Sequence, residues 1–144
     1  MSFMGKAGFA VAAMGLAAGS VFGAGSASAA GDMWAGIAVS GQEWAFAVSV
    51  DKATEGEARD EALGVCGSAA DDCRILMTWA NGCGALAESE DGIAGGTGPN
   101  RAEAERDAYA RLAELTPTAF LANVGSSNLS GAKIVHVACT ANAR

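Results

Sequence analysis

Histidine occurs once in the 144 residues, and Lys and Arg together only nine times against sixteen Asp and Glu. The single histidine, His136, is the one residue on which a Ser-His-Asp or Cys-His arrangement could be built. The formal charge of −7 makes the chain a poor match for phosphate backbones and anionic lipid, so no nucleic-acid partner is expected. No C-x-x-C pair is present, and that spacing is the usual way for two thiolates to grip one zinc ion. No G-K-[ST] follows the glycine-rich run at residues 92–98, and Arg101 stands where the third glycine of a G-x-G-x-x-G would fall. The carboxylates Asp71, Asp72, Glu88, Glu90 and Asp91 lack the D-x-[DN]-x-[DN]-G spacing of a calcium loop and read as solvated turns. These absences leave no cofactor, no metal ligand set and no catalytic group assigned.

What is present begins with a targeting segment. Lys6 precedes an uncharged Ala/Gly/Val/Phe/Met run, and Ala27-Ser28-Ala29 is a small-x-small cleavage signal. Residues 1–29 therefore read as a secretory signal peptide. Gly15, Gly19, Ser20, Gly23 and Gly25 interrupt the run, which weakens it against the roughly 20 strongly apolar residues of a permanent span. No membrane span is expected after cleavage, and residues 30–144 are of a size for one secreted domain with a core of its own. Loss of Lys6 makes that domain more acidic still.

Cysteine usage agrees with export. Cys66, Cys73, Cys83 and Cys139 all lie after the leader, and an even count in a secreted chain implies disulfides. Four cysteines allow three connectivities. Cys66 ends a predicted helix and Cys73 opens the next strand after a short flexible link, which suits one bridge. Cys83 with Cys139 is the second, provided the strands that carry them are antiparallel neighbours.

Residues 34–40 (WAGIAVS) and 44–50 (WAFAVSV) read as two strands with a turn at Gly41-Gln42. In the second, Trp44, Phe46, Val48 and Val50 alternate with small residues, so bulky side chains share one face. A helix starts at Thr54, where Thr54 and Glu57 form a capping box, and Ala58, Ala62, Val65 and Cys66 share a face. Residues 74–80 form a third strand. Asn81-Gly82 then suggests a type I′ turn that folds residues 83–88 back as a hairpin partner. From there the pattern begins again. Residues 92–98 give a strand, and Asn100, Glu103, Ala104 and Ala108 repeat Thr54, Glu57, Ala58 and Ala62 at a constant offset of about 46. Residues 133–140 close the chain as a strand. The fold expected is α+β: two related β-β-α-β repeats, about 33–80 and 83–140, with a mainly antiparallel sheet, helices packed on it and disulfides bracing it. Residues 116–132 are an insertion with a short helix from Pro117 and a Gly/Ser/Asn loop.

WAGIAVS, the T-x-x-E-A-x-x-x-A-L-x-x-C helix, CRILMTW and above all NGCGALA resemble the secreted bacterial domain of unknown function, family 4189. The resemblance covers nearly all of residues 30–144. It implies a small exported domain with no assigned chemistry and no catalytic residues to carry over. The family's second half usually repeats the helix-end cysteine and a following one. Here Leu112 stands at the helix-end position and no cysteine precedes Lys133, so that half lacks a local cross-link.

Two functions remain. The first is a secreted, non-catalytic module that binds a protein, a glycan or an envelope component. The second is a small hydrolase using His136 with nearby carboxylates. His136 lies mid-strand between Val135 and Val137, and cross-linked cysteines offer no nucleophilic thiol, so the first is preferred. Trp34, Trp44 and Trp79 are expected in the core.

Overall fold

A computed structural model describes residues 31–144, apart from the side chains of Ser127 and Asn128. The leader assigned to residues 1–29 lies outside the described residues. The chain runs β1 (Trp34–Val39), β2 (Phe46–Lys52), α1 (Glu55–Gly67), β3 (Arg74–Ala80), β4 (Cys83–Ser89), β5 (Ile93–Gly98), α2 (Arg101–Leu112), a 3-10 helix (Pro117–Val124), a short α3 (Ser127–Ser130) and β6 (Ala132–Cys139). Strand order is β2-β1-β3 in one sheet and β5-β4-β6 in the other, every pairing antiparallel. Each β-β-α-β unit thus forms its own three-stranded sheet around its first strand.

Alternation along each central strand dictates the layers. In β1, Ala35, Ile37 and Val39 face inward to a cluster that also holds Trp79 and, from the other sheet, Leu86. Ala38 faces α1 with Ala47, Ala62 and Cys66. In β4, Cys83, Ala85 and Ala87 face α2 with Ala104, Ala108 and Leu112. The result is a stack of helix, sheet, sheet, helix, with apolar layers at all three interfaces. β3 crosses near β5 and β2 near β6, as a two-fold relation between the units requires.

Both helices start as their sequence indicates. Thr54 accepts from the Glu57 amide at 3.2 Å and Asn100 from the Glu103 amide at 3.1 Å. Glu57 returns the bond one residue further out, accepting from the Ala53 amide at 3.1 Å. Alanine on the buried faces lets the helices lie close to the sheets. At Gly96 a Cβ would sit 2.0 Å from the Ala108 amide nitrogen, so α2 rests directly on β5 backbone. Val65, expected on the buried face of α1, is instead 54% exposed, because Cys66 supplies that turn's inward side chain.

The central hairpin does not form. β3 pairs with β1, while β4 pairs with β5 and β6, so Asn81-Gly82 carries the chain from one sheet to the other. A type I′ turn needs positive φ at both central residues, and only Asn81 (φ 54°) has it. The indole of Trp79 packs where a Cβ on Gly84 would lie, 2.6 Å from its nearest atom, and its Nε1 donates to the Gly82 carbonyl at 3.1 Å. Asn81 is used as a tie instead, accepting from the Met33 amide at 3.0 Å and donating to Asp32 at 2.7 Å.

The disulfides join Cys66 to Cys73 and Cys83 to Cys139, and β4 and β6 are indeed antiparallel neighbours with Cys83 opposite Cys139. Both units also carry a β-bulge at the same place. Ile37 faces Met77 and Ala38 faces Ile75, leaving Leu76 as the extra residue. Leu86 faces His136 and Ala87 faces Ile134, leaving Val135. His136 therefore stands in the second unit where Met77 stands in the first.

Candidate functional site

The bulge brings His136 to the layer between the sheets, where its ring centroid lies 5.3 Å from that of Phe46 in β2. Burial holds its pKa below the ordinary 6.5, and the guanidinium of Arg101 lowers it further. The charge that acts on it is thus a cation, where an acid–base pair would call for a carboxylate. Of the carboxylates singled out in the sequence, Glu88 pairs with Lys133 at 2.8 Å, and Asp91 accepts from Thr116, whose hydroxyl also meets Ser89 at 2.7 Å. The first is a cross-strand pair between β4 and β6, and the Thr116 contacts fasten the β4–β5 turn to the segment after α2. Among the described residues no three His, Cys, Asp or Glu are placed to hold a metal ion, and the glycine-rich run forms β5 against α2.

Asp72 departs most from its expected role. Rather than a solvated turn residue, it is the clamp between two loops. Ser40 Oγ donates to its Oδ1, and the Gly41 and Gln42 amides donate to its Oδ2 at 3.0 and 3.1 Å. The Ser40 hydroxyl first, helped by these amides, holds the carboxyl below its ordinary value, with desolvation acting in the opposite direction. Ser40 Oγ in turn accepts from the Glu43 amide at 3.1 Å. The β1–β2 loop is thereby tied to the loop that the Cys66–Cys73 disulfide closes. In that second loop Ala69 and Ala70 donate to the Cys66 carbonyl at 2.9 and 3.1 Å, and Ser68 Oγ donates to the Val65 carbonyl at 2.6 Å.

Between the two loops lies an open cleft of about 470 Å³, lined by Gln42, Glu43, Asp71, Asp72 and the segment 67–70. Trp44 follows directly on this lining. Expected in a strand and in the core, it is instead 58% exposed, and β2 starts only at Phe46. Its φ is 51°, a left-handed conformation that costs a side-chain-bearing residue about 1–2 kcal/mol. Glycine or asparagine would serve a turn there with less strain. The alternation of bulky residues along 44–50 hid this, since Trp44 continues the pattern in sequence but not in space. Trp79 is buried as expected, and Trp34 is half-buried.

A second exposed surface lies in the insertion, where Phe120, Val124 and Leu129 are 54%, 60% and 72% exposed. From Leu115 to Ala132 the chain carries no charged residue.

The class defined by these features is a disulfide-braced α+β domain of two β-β-α-β units, with a polar cleft at one end of the first. The chain belongs to the family described as a domain of unknown function (DUF4189), whose model matches residues 34–139. No curated protein and no solved structure matches it. No helix among the described residues is long and apolar enough to cross a membrane.

Proposed function

We propose that this protein is an exported, non-catalytic module that holds a ligand in the cleft between the β1–β2 loop and the Cys66–Cys73 loop. The observation that carries the reading is Trp44, exposed and in a left-handed conformation in the β1–β2 loop, next in sequence to Glu43 of the cleft lining. Backbone strain persists where the surrounding structure over-determines it, and such positions concentrate at ligand sites. Both walls are pre-formed, one by Asp72 and one by the disulfide, so little ordering cost falls on binding. Two disulfides and the leader-like residues 1–29 support export to an oxidising compartment.

The purified, oxidised protein, used as bait in culture medium and envelope extract, should retain a component that a Trp44→Ala bait does not. Equal recovery by the two baits would sink the reading. A panel of chromogenic hydrolase substrates is the control. Turnover that disappears in His136→Ala would replace this function with a small hydrolase working through His136.

A further inference from the structure

We propose that the Cys83–Cys139 disulfide is a thiol-exchange site, opened by attack of an external thiolate on the sulfur of Cys139; nothing in this depends on the cleft. Register and burial carry the inference. Cys83 stands directly opposite Cys139 in the β4–β6 ladder. The Thr140 amide donates to the Gly82 carbonyl at 2.9 Å, which makes the next pair outward the hydrogen-bonded one. Antiparallel pairs alternate, so Cys83 and Cys139 are a non-hydrogen-bonded pair, the kind whose Cα atoms approach closest; here they are 4.0 Å apart. The two ends of the bond are nonetheless unequal. Cys83, in the central strand, is 2% exposed and packs under α2, whereas Cys139, at the end of the edge strand β6, is exposed. Exposed disulfides are the labile ones. The other bridge has no such end: Cys66 is 2% exposed, Cys73 is half-buried, and Asp72 fastens the loop between them.

Exchange proceeds through a mixed disulfide, with the incoming sulfur in line with the bond and opposite the sulfur that leaves. For attack on Cys139 that approach lies at the open edge of the sheet, where no further strand pairs with β6. For attack on Cys83 it is occupied by β5 and the first turn of α2. In the first step the external thiolate bonds to Cys139 Sγ, the bond to Cys83 breaks, and its electron pair stays on Cys83. That thiolate packs with Ala104 in the first turn of α2, the helix end that favours negative charge. Cys83 can then attack Cys139 again and expel the external thiolate. Alternatively, a second thiolate attacks the external sulfur of the mixed disulfide and leaves Cys139 as thiolate. This second route oxidises two thiols to one disulfide and reduces the protein bond by the same two electrons. Opening does not free the strand. β6 keeps its ladder with β4, and beyond it the Ala141 amide donates to Asp51 at 2.7 Å. The two cysteines stay opposite one another, and the bond re-forms when the thiol is removed under oxidising conditions.

Timed exchange on the oxidised protein, kept folded as judged by circular dichroism, tests the site. One arm uses glutathione, a monothiol, and the other dithiothreitol, a dithiol; N-ethylmaleimide stops each sample and peptide mass mapping reads it. Glutathione should appear on Cys139 with maleimide on Cys83, and dithiothreitol should leave maleimide on both. Each should act at least tenfold faster than the same reagent opens Cys66–Cys73. Opening by dithiothreitol alone upholds the site and narrows its reductant to a dithiol. Earlier opening of Cys66–Cys73, or glutathione found on Cys83, overturns the proposal. So does a rate that rises in step with the unfolded fraction in urea, because exchange would then pass through unfolding and not through the folded edge. Single substitutions test access separately. Cys139 in Cys83→Ser should react with maleimide at least tenfold faster than Cys83 in Cys139→Ser, and equal rates in the two folded variants overturn the proposal as well.

Discussion

The two units share strand order, capping and bulges, yet they are braced in opposite ways. Where the first unit links Cys66 to Cys73, the second has Leu112, fully buried, and Ala132 in one apolar cluster. The disulfide of the second unit, Cys83 to Cys139, lies where the first pairs Trp34 with Ala80. Their loops differ too. The first unit has a short acidic helix-to-strand link and a longer hairpin tip bearing Trp44. The second has a tight turn after Ser89 and a long uncharged insertion before β6. A framework repeated twice leaves its connections free to diverge, because they lie at the surface and carry little of the core. The cleft and the apolar insertion are both such divergences.

The disulfides should break the symmetry most. By the loop-entropy model, removing the bridge that spans 56 residues costs about 4 kcal/mol, against about 2–3 kcal/mol for the one that spans seven. Cys83→Ser with Cys139→Ser should therefore melt lower than Cys66→Ser with Cys73→Ser in non-reducing thermal scans. Leu112→Ala comes next, at about 2–5 kcal/mol by urea unfolding, since it opens a cavity where the first unit has sulfur. A loss below about 1 kcal/mol would show that Leu112 does not replace the missing bridge.

Helix approach is the third contrast. α2 lies on Gly96, whereas the corresponding position facing α1 is Ser49, buried and bonded to Glu61 at 3.3 Å. Gly96→Ser should cost about 1–3 kcal/mol by overpacking; a neutral result would mean α2 can move away without penalty. Trp44→Gly should act in the other direction, raising stability by about 1 kcal/mol through relief of the left-handed conformation while ligand capture is lost. Lower stability in that variant would show that packing, not function, keeps the indole there.

The smallest effect is expected at His136. Its folded pKa is lowered, by burial first and then by Arg101, so the unfolded chain takes up the proton more readily. The stabilising contribution is complete above the ordinary value of 6.5 and is lost as pH falls from there through the folded pKa. His136→Met, which copies Met77 of the first unit, should flatten that part of the stability–pH curve. An unchanged curve would assign the slope to other groups.

The local elements were legible because each depends on near neighbours. Capping at Thr54 and Asn100, the small-residue faces of α1 and α2 and the offset of about 46 between them are visible without a structure, and so was the pairing of the cysteines once strands were assigned. The Asn81-Gly82 hairpin misled for the same reason that it looked strong. A turn preference is a local term, and the pairing it favours gives way to β3 with β1 in one sheet and β4 with β5 and β6 in the other. Trp44 misled because alternation assigns faces but does not tell where a strand begins.

The amino-acid sequence by itself determined the two units, their helix starts, their small-residue packing faces and the absence of a second histidine or a metal motif. Only tertiary structure decided that the units form separate sheets stacked face to face. It also turned Asp72 into a clamp across 30 residues of chain and left Trp44 in solvent. Each of these rests on contacts between segments distant in sequence. Such contacts depend on which buried faces meet and which backbone donors find a carboxylate, and no local pattern of residues encodes that choice.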